Sequence, residues 1–254
     1  MLLFLFQLIS ANNEDSKALE RDDVIKNLNN VRRSIIRLLL SFATMAMISY
    51  FFWKEILGFI QKPLGIPLVY YSIPEAFLTT LRVALFAGVF FSAPFMFNEL
   101  WSSIAPFFTP HSRRYSPWVV GSASLLFYAG GVICYFLLLP AGIKFLIGYQ
   151  TDHIKAAISI ESYISFFASF VFGFGLAFEM PLIMLLLGKA GIVNAAILRK
   201  YRRYAILVIV IASAIITPTP DLLNLSLMTV PLFALYELSI ILVMLFGAEK
   251  NRST

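Results

Sequence analysis

Long apolar stretches separated by short polar ones set the first expectation for this chain. Four of them, Ser34–Trp53, Ala76–Phe97, Pro117–Leu139 and Ile164–Leu187, hold 20 or more residues each with almost no charge. At about 1.5 Å per helical residue, each reaches the roughly 30 Å of a bilayer's hydrocarbon core. Two further stretches follow. Tyr204–Ile216 has 13 residues and spans only about 20 Å. Leu222–Phe246 is interrupted by Asn224, Pro231 and Glu237, so its clean apolar part is also short. Short spans survive by local thinning of the bilayer or by snorkelling of flanking side chains such as Arg202 and Arg203. The pattern therefore predicts an all-α polytopic membrane protein with six transmembrane helices, the fifth and sixth short. Pro94, Pro140, Pro181 and Pro231 lie in or at the ends of spans, where proline bends helices. They predict a curved bundle with a concave face. The organisation expected is a cytoplasmic N-terminal segment (1–33), one membrane domain (34–246) and a cytoplasmic tail (247–254).

Composition agrees with this class. Hydrophobic residues make up 59% of the chain and charged residues 13%, against about 25% charged in ordinary soluble domains. Cys134, the single cysteine, excludes an intrachain disulfide and reads as a small buried hydrophobe. The net charge of +6 does not point to nucleic acid, because the basic residues are dispersed among loops flanking the spans. Fifteen Lys and Arg fall on one side of the six predicted crossings, against Lys54, Lys62, Lys144 and Lys155 on the other, with Arg82 inside the second span. The positive-inside rule then places both termini in the cytoplasm, which requires an even number of crossings. The first ten residues, MLLFLFQLIS, are too short to span and lack the basic flank and cleavage pattern of a signal peptide. They suit an interfacial segment or a misassigned start. Residues 11–26 mix five acids with three bases and read as a solvated lead-in. The chain shows none of the inverted repetition typical of many secondary transporters.

Candidate chemistry is sparse, and catalysis, a metal or a cofactor is not expected. His111 and His153 fall in different loops on opposite predicted sides, outside any metal-ligand spacing. Neither a nucleophile elbow nor a phosphate loop occurs. What does stand out is Glu179, inside an otherwise apolar run. A carboxylate at membrane depth costs about 2.5 kcal/mol or more, so it faces a partner, a cavity or a protonated internal bond. Glu237 lies at a matching depth in the sixth stretch, roughly 12–14 Å inside the cytoplasmic boundary, where it either shares a polar groove with Glu179 or sits near the interface with a different partner. The loop from Asn98 to Arg114 is amphipathic, with Trp101, Phe107 and Phe108 suited to the headgroup boundary and Pro106 and Pro110 stopping a continuous helix. In the turn Thr217-Pro218-Thr219-Pro220-Asp221, the prolines fix φ and Asp221 is placed to cap the sixth helix.

At these residues the chain resembles the TatC family, the polytopic receptor subunit of the twin-arginine protein translocase. The resemblance runs from Asn27 to Phe246. It is carried by Asn27-Leu28-Asn29-Asn30-Val31-Arg32-Arg33, Ser92-Ala93-Pro94, Trp101-Ser102-Ser103-Ile104-Ala105-Pro106 and His111-Ser112-Arg113-Arg114. Further on come Leu125-Leu126-Phe127-Tyr128, Phe174 through Pro181, Arg199-Lys200-Tyr201-Arg202-Arg203-Tyr204, Thr217 through Asp221, and Leu235-Tyr236-Glu237. Each piece is weak alone, while their order and spacing together are specific.

The resemblance implies a non-enzymatic receptor in the cytoplasmic (inner) membrane. It binds twin-arginine signal peptides of folded cargo, assembles with TatA- and TatB-type single-span proteins and itself as a homo-oligomer within a larger complex in lipid, and works on the proton-motive force. It implies signal contacts at the positions of Asn30, Arg32, Ser103, Ser112, Arg113 and Arg114, and partner contacts at Glu179. The chain departs from the family where the family carries acids: Asn30 and Ser112 stand in place of glutamates, and Ser103 in place of a common phenylalanine. Glu99 stands where glutamine is more usual. It is the carboxylate expected to receive a signal guanidinium, since bidentate charge-assisted bonds are the strong ones. A divergent paralogue with altered signal recognition, or a small-molecule transporter, is the rival reading.

Overall fold

The computed structural model describes residues 32–105, 116–148, 157–216 and 222–247. Among them the chain is helical, with a single isolated bridge between Val69 and Ser159 in place of any sheet. In chain order the helices are α1 (Arg32–Phe51), α2 (Trp53–Gln61), α3 (Ile73–Ile104), α4 (Ser116–Ile133), a π-turn (Cys134–Leu138), α5 (Leu139–Ile147), α6 (Ile160–Phe178), α7 (Met180–Lys189), α8 (Ala195–Lys200), α9 (Arg202–Ile216) and α10 (Leu222–Phe246). Five helical segments are long and apolar enough to cross a membrane: Arg32–Phe51, Ile73–Ser103, Ser116–Phe145, Ile160–Lys189 and Leu225–Phe246. With its 15 residues, α9 reaches about 22 Å and supplies the short fifth crossing of a six-helix arrangement.

Two expectations change. The loop expected from Asn98 is helical as far as Ile104, because α3 runs through Pro94 for 32 residues. Trp101 consequently lies buried in the last turn of α3. The sixth helix, expected to be short, is continuous over 25 residues with Pro231 inside it. Neighbouring groups in a membrane bundle can re-satisfy the carbonyl that a proline leaves free.

Hydrocarbon cannot hydrogen-bond a free carbonyl, so every such carbonyl needs an internal donor. Tyrosine hydroxyls perform this repeatedly. Pro94 has no N–H to offer Phe90, four residues earlier, and the Tyr128 hydroxyl of α4 donates to the Phe90 carbonyl instead, at 3.3 Å. The last turn of α2 leaves carbonyls exposed, where Tyr135 donates to Phe59 at 2.9 Å and Tyr163 to Ile60 at 2.6 Å. Tyr236 of α10 likewise donates to Leu198 of α8 at 2.8 Å. Pro140 follows the π-turn as an N-terminal residue of α5, and Pro181 takes the same role in α7 just after the helix breaks at Glu179. Each of these two prolines thus sits where its missing donor costs least.

The core is built on α6, whose Phe166, Phe170 and Phe174 recur every four residues on one buried stripe. Helices α3 and α4 pack on α6, while α10 packs on α7 and α9. Without a hydrophobic force between helices in lipid, close approach depends on small residues. A Cβ at Gly130 of α4 would lie 2.8 Å from the Phe174 carbonyl oxygen, and one at Gly175 of α6 would lie 2.7 Å from the Phe127 ring. At Gly88 of α3 it would lie 2.7 Å from Cα of Ala46 on α1. Cys134 is fully buried in the π-turn.

Opposite the end that carries Arg32, Glu75 organises the connections. The sequence Ser72-Ile73-Pro74-Glu75 forms a capping box at the start of α3. The buried Glu75 carboxylate also accepts from Tyr71 N–H at 2.7 Å and from the Ser159 hydroxyl at 2.6 Å. One side chain therefore starts α3 and fastens it to the entry of α6.

Candidate functional site

Three charged clusters and one lone carboxylate lie on this scaffold. The first joins α1 to α3. Arg37 lies five residues into α1 and Glu99 five residues before the end of α3, each about 8 Å along its helix from the basic end of the bundle. Their side chains meet through two contacts, Arg37 Nε to Glu99 Oε1 at 2.7 Å and Arg37 Nη2 to Glu99 Oε2 at 2.9 Å. This is the fork-on-fork geometry that gives arginine–carboxylate pairs their strength and direction. The Ser34 hydroxyl accepts from Arg37 at 3.2 Å. On the α3 side, Ser102 and Ser103 donate to the Glu99 carbonyl at 2.8 and 3.0 Å. Exposure is unequal: the Glu99 side chain is 13% accessible and Arg37 58%.

Glu99 and Ser103, one helical turn apart, are thus brought together beside Arg37, which the sequence reading did not single out as a site residue. The signal lay in the spacing, since an acid near the end of the second apolar stretch and a base near the start of the first reach one depth when the helices are antiparallel. Arg32 is exposed at the start of α1. Asn30, Ser112, Arg113, Arg114, Pro218 and Asp221 lie outside the described residues, as do His111 and His153.

Glu179 caps the end of α6 and begins α7 at the kink before Pro181. It is 6% exposed, and its Oε1 has no hydrogen-bond partner among the described residues. A buried carboxylate oxygen without a donor costs free energy, which a donor from outside the described residues would offset. Glu237 has a different environment. It pairs at 2.5 Å with Arg202, the first residue of α9. The two acids placed at one depth by sequence thus differ: one is a buried carboxylate with an unpartnered oxygen and the other is part of a half-exposed ion pair. The third cluster pairs Arg82 of α3 with Glu161 in the first turn of α6 at 2.5 Å, which neutralises the charge found inside the second span.

Among the described residues no group of three or more His, Cys, Asp or Glu is arranged to hold a metal ion.

Comparison with known proteins converges on one family. The family model for the Sec-independent protein translocase protein (TatC) matches residues 26–231. The chain is 31% identical over 242 residues to the Sec-independent protein translocase protein TatC of Desulforapulum autotrophicum, covering 93% of this chain and 89% of that one. It is 39% identical over 173 residues to the protein of the same name from Campylobacter jejuni, covering 68% of this chain and 70% of that one. A crystal structure of the twin arginine translocase receptor TatC superposes with a TM-score of 0.76 at 30% identity, covering 85% of this chain and 97% of the other. The family match, the 31% identity over 93% of the chain and the shared architecture agree: the chain belongs to the TatC family.

Proposed function

We propose that this chain is the signal-recognising subunit of a twin-arginine translocase, and that its basic end receives the paired arginines of a signal peptide at Glu99. The observation that carries this reading is the well-shielded Glu99 carboxylate, already holding one guanidinium in bidentate geometry. A site that accepts one arginine fork has the shape and charge for another. Ser103, one turn further on, and the loop residues Ser112, Arg113 and Arg114 complete the proposed contact surface, with Asn30 and Arg32 at its N-terminal edge.

TatC-family proteins are transport components and not enzymes, in keeping with the names of the relatives. Both termini are assigned to the cytoplasm on the lysine and arginine asymmetry, and the protein to the inner membrane on its family. Residues 34–246 act as one membrane domain. Glu179, buried with an unpartnered oxygen, is assigned to polar contact with a TatA- or TatB-type single-span helix, which would supply the missing donor. The short α9 thins the adjacent lipid where those helices gather. A small-molecule transporter is disfavoured. The cavity between α2, α3, the π-turn and α6 is lined by Phe59, Phe90, Phe167 and similar side chains, which offer an ion or polar solute nothing to replace its water.

The test is co-purification of the full-length protein, from membranes, with a tagged twin-arginine precursor and with single-span partner proteins. Recovery of both supports the reading. Failure to recover the precursor, with uptake of a small solute into liposomes instead, would overturn it.

A further inference from the structure

We propose that Arg37 is an autoinhibitory competitor: it occupies the Glu99 carboxylate in the resting protein, so that an incoming cationic segment binds there only by displacing it. The inference rests on the receptor reading above and concerns the regulation of that same site.

The geometry makes exchange physically reasonable. Glu99 is shielded, so losing its guanidinium without a replacement would leave that charge uncompensated. An incoming guanidinium that slides onto Glu99 as Arg37 leaves never exposes that state. One bidentate pair simply replaces another, and the exchange is close to neutral in energy. Arg37 is free to leave, since its side chain is more than half exposed while that of Glu99 is shielded. Helix α1 is also the least enclosed of the long helices, with 6% of its apolar window buried against 33–50% for the others. Its exposed positions include Ile36, Leu39, Leu40 and Met47. The Arg37–Glu99 pair and the Gly88–Ala46 approach are the close ties described between α1 and α3, so release of the first leaves the helix anchored by the second.

The cost of displacement is common to every ligand. Arg37 engages both carboxylate oxygens, and a resident competitor lowers the apparent affinity of each ligand by the same factor, set by the fraction of carboxylate left open. Preference for arginine over lysine is set by the bond each ligand makes once Arg37 has left, where a lysine ammonium cannot reproduce the parallel pair. The resident guanidinium thus raises the threshold for every cationic segment equally.

The test measures binding of two fluorescent signal peptides, identical except for Arg-Arg or Lys-Lys, to the full-length protein in native-lipid nanodiscs. In the unaltered protein the Arg-Arg peptide is expected to bind roughly tenfold more tightly. With Arg37→Gln both affinities are expected to rise several-fold and by the same factor, so that the ratio is kept. Arg37→Lys keeps the charge at the α1 surface but loses the fork, and is expected to raise both affinities by a smaller factor. It carries the test if Arg37→Gln misfolds. Affinities unchanged or lowered in both variants would overturn the competitor role while leaving the receptor reading intact. Absence of Arg-Arg binding to the unaltered protein would overturn both.

Discussion

The Tyr128 hydroxyl on α4 donates to the Phe90 carbonyl on α3, the acceptor that Pro94 leaves without a backbone donor. A sequence-distant side chain thereby repairs a helix interrupted by proline and ties two spans together. Tyr128→Phe is expected to lower stability by about 1 kcal/mol. In a Pro94→Ala background, where the new residue brings a backbone N–H back to the Phe90 carbonyl, the same change is expected to cost less. Thermal unfolding of the four proteins in detergent gives the coupling; equal cost in both backgrounds would show that the bond is independent of the proline.

Close crossing of α4 and α6 depends on two glycines that meet the opposite helix. Gly175→Val should overpack against Phe127 and cost roughly 1–3 kcal/mol. Gly121, on the same α4 but with nothing within 4 Å of a built Cβ, supplies the contrast. Gly121→Ala should be neutral or stabilising by up to about 1 kcal/mol. Melting temperatures of the two variants should move in opposite directions.

Glu179 should separate stability from function. Its Oε1 is buried without a donor, so Glu179→Leu should leave the isolated protein at least as heat-stable, because an uncompensated polar group has been removed. The same variant should lose assembly with single-span partners, read as the size of the complex on native gels. Full assembly of Glu179→Leu would show that the carboxylate serves no partner.

Among the described residues, helix α9 is the one crossing shorter than the hydrocarbon core. Four leucines inserted near Val208 add about 6 Å, which should relieve local thinning and reduce export. An insertion of equal length near Leu238 in the 25-residue α10 adds to a helix that already spans. Comparable export loss from both insertions would indicate register disruption in place of thinning.

Much of this architecture was legible from hydropathy alone, because in a bilayer an apolar stretch of sufficient length has few alternatives to a helix. The first four crossings and the short fifth were placed that way. Boundaries were less legible where prolines intervened. Pro94, Pro140 and Pro231 read as ends or bends, yet the helical path continues past each, since Tyr128, a π-turn and tertiary packing absorb the defect. Glu75 was missed although Ser72-Ile73-Pro74-Glu75 spells a capping box, because its bonds to Tyr71 and Ser159 depend on the fold. Arg37 was counted for topology and not for chemistry. Its pairing with Glu99 spans 62 residues of sequence, and only the antiparallel packing of α1 and α3 brings the two together. Glu179 stood out from sequence as a charge among apolar neighbours, whereas the distinction between it and Glu237 required Arg202 to be located in space.

The most direct measurement of the central claim is photo-crosslinking from Leu100, exposed beside Glu99 on α3, to a twin-arginine precursor in native membranes. A strong adduct with the Arg-Arg signal is expected, to be lost with Lys-Lys and with Glu99→Gln. An adduct of undiminished strength in Glu99→Gln, or none in the unaltered protein, would contradict it.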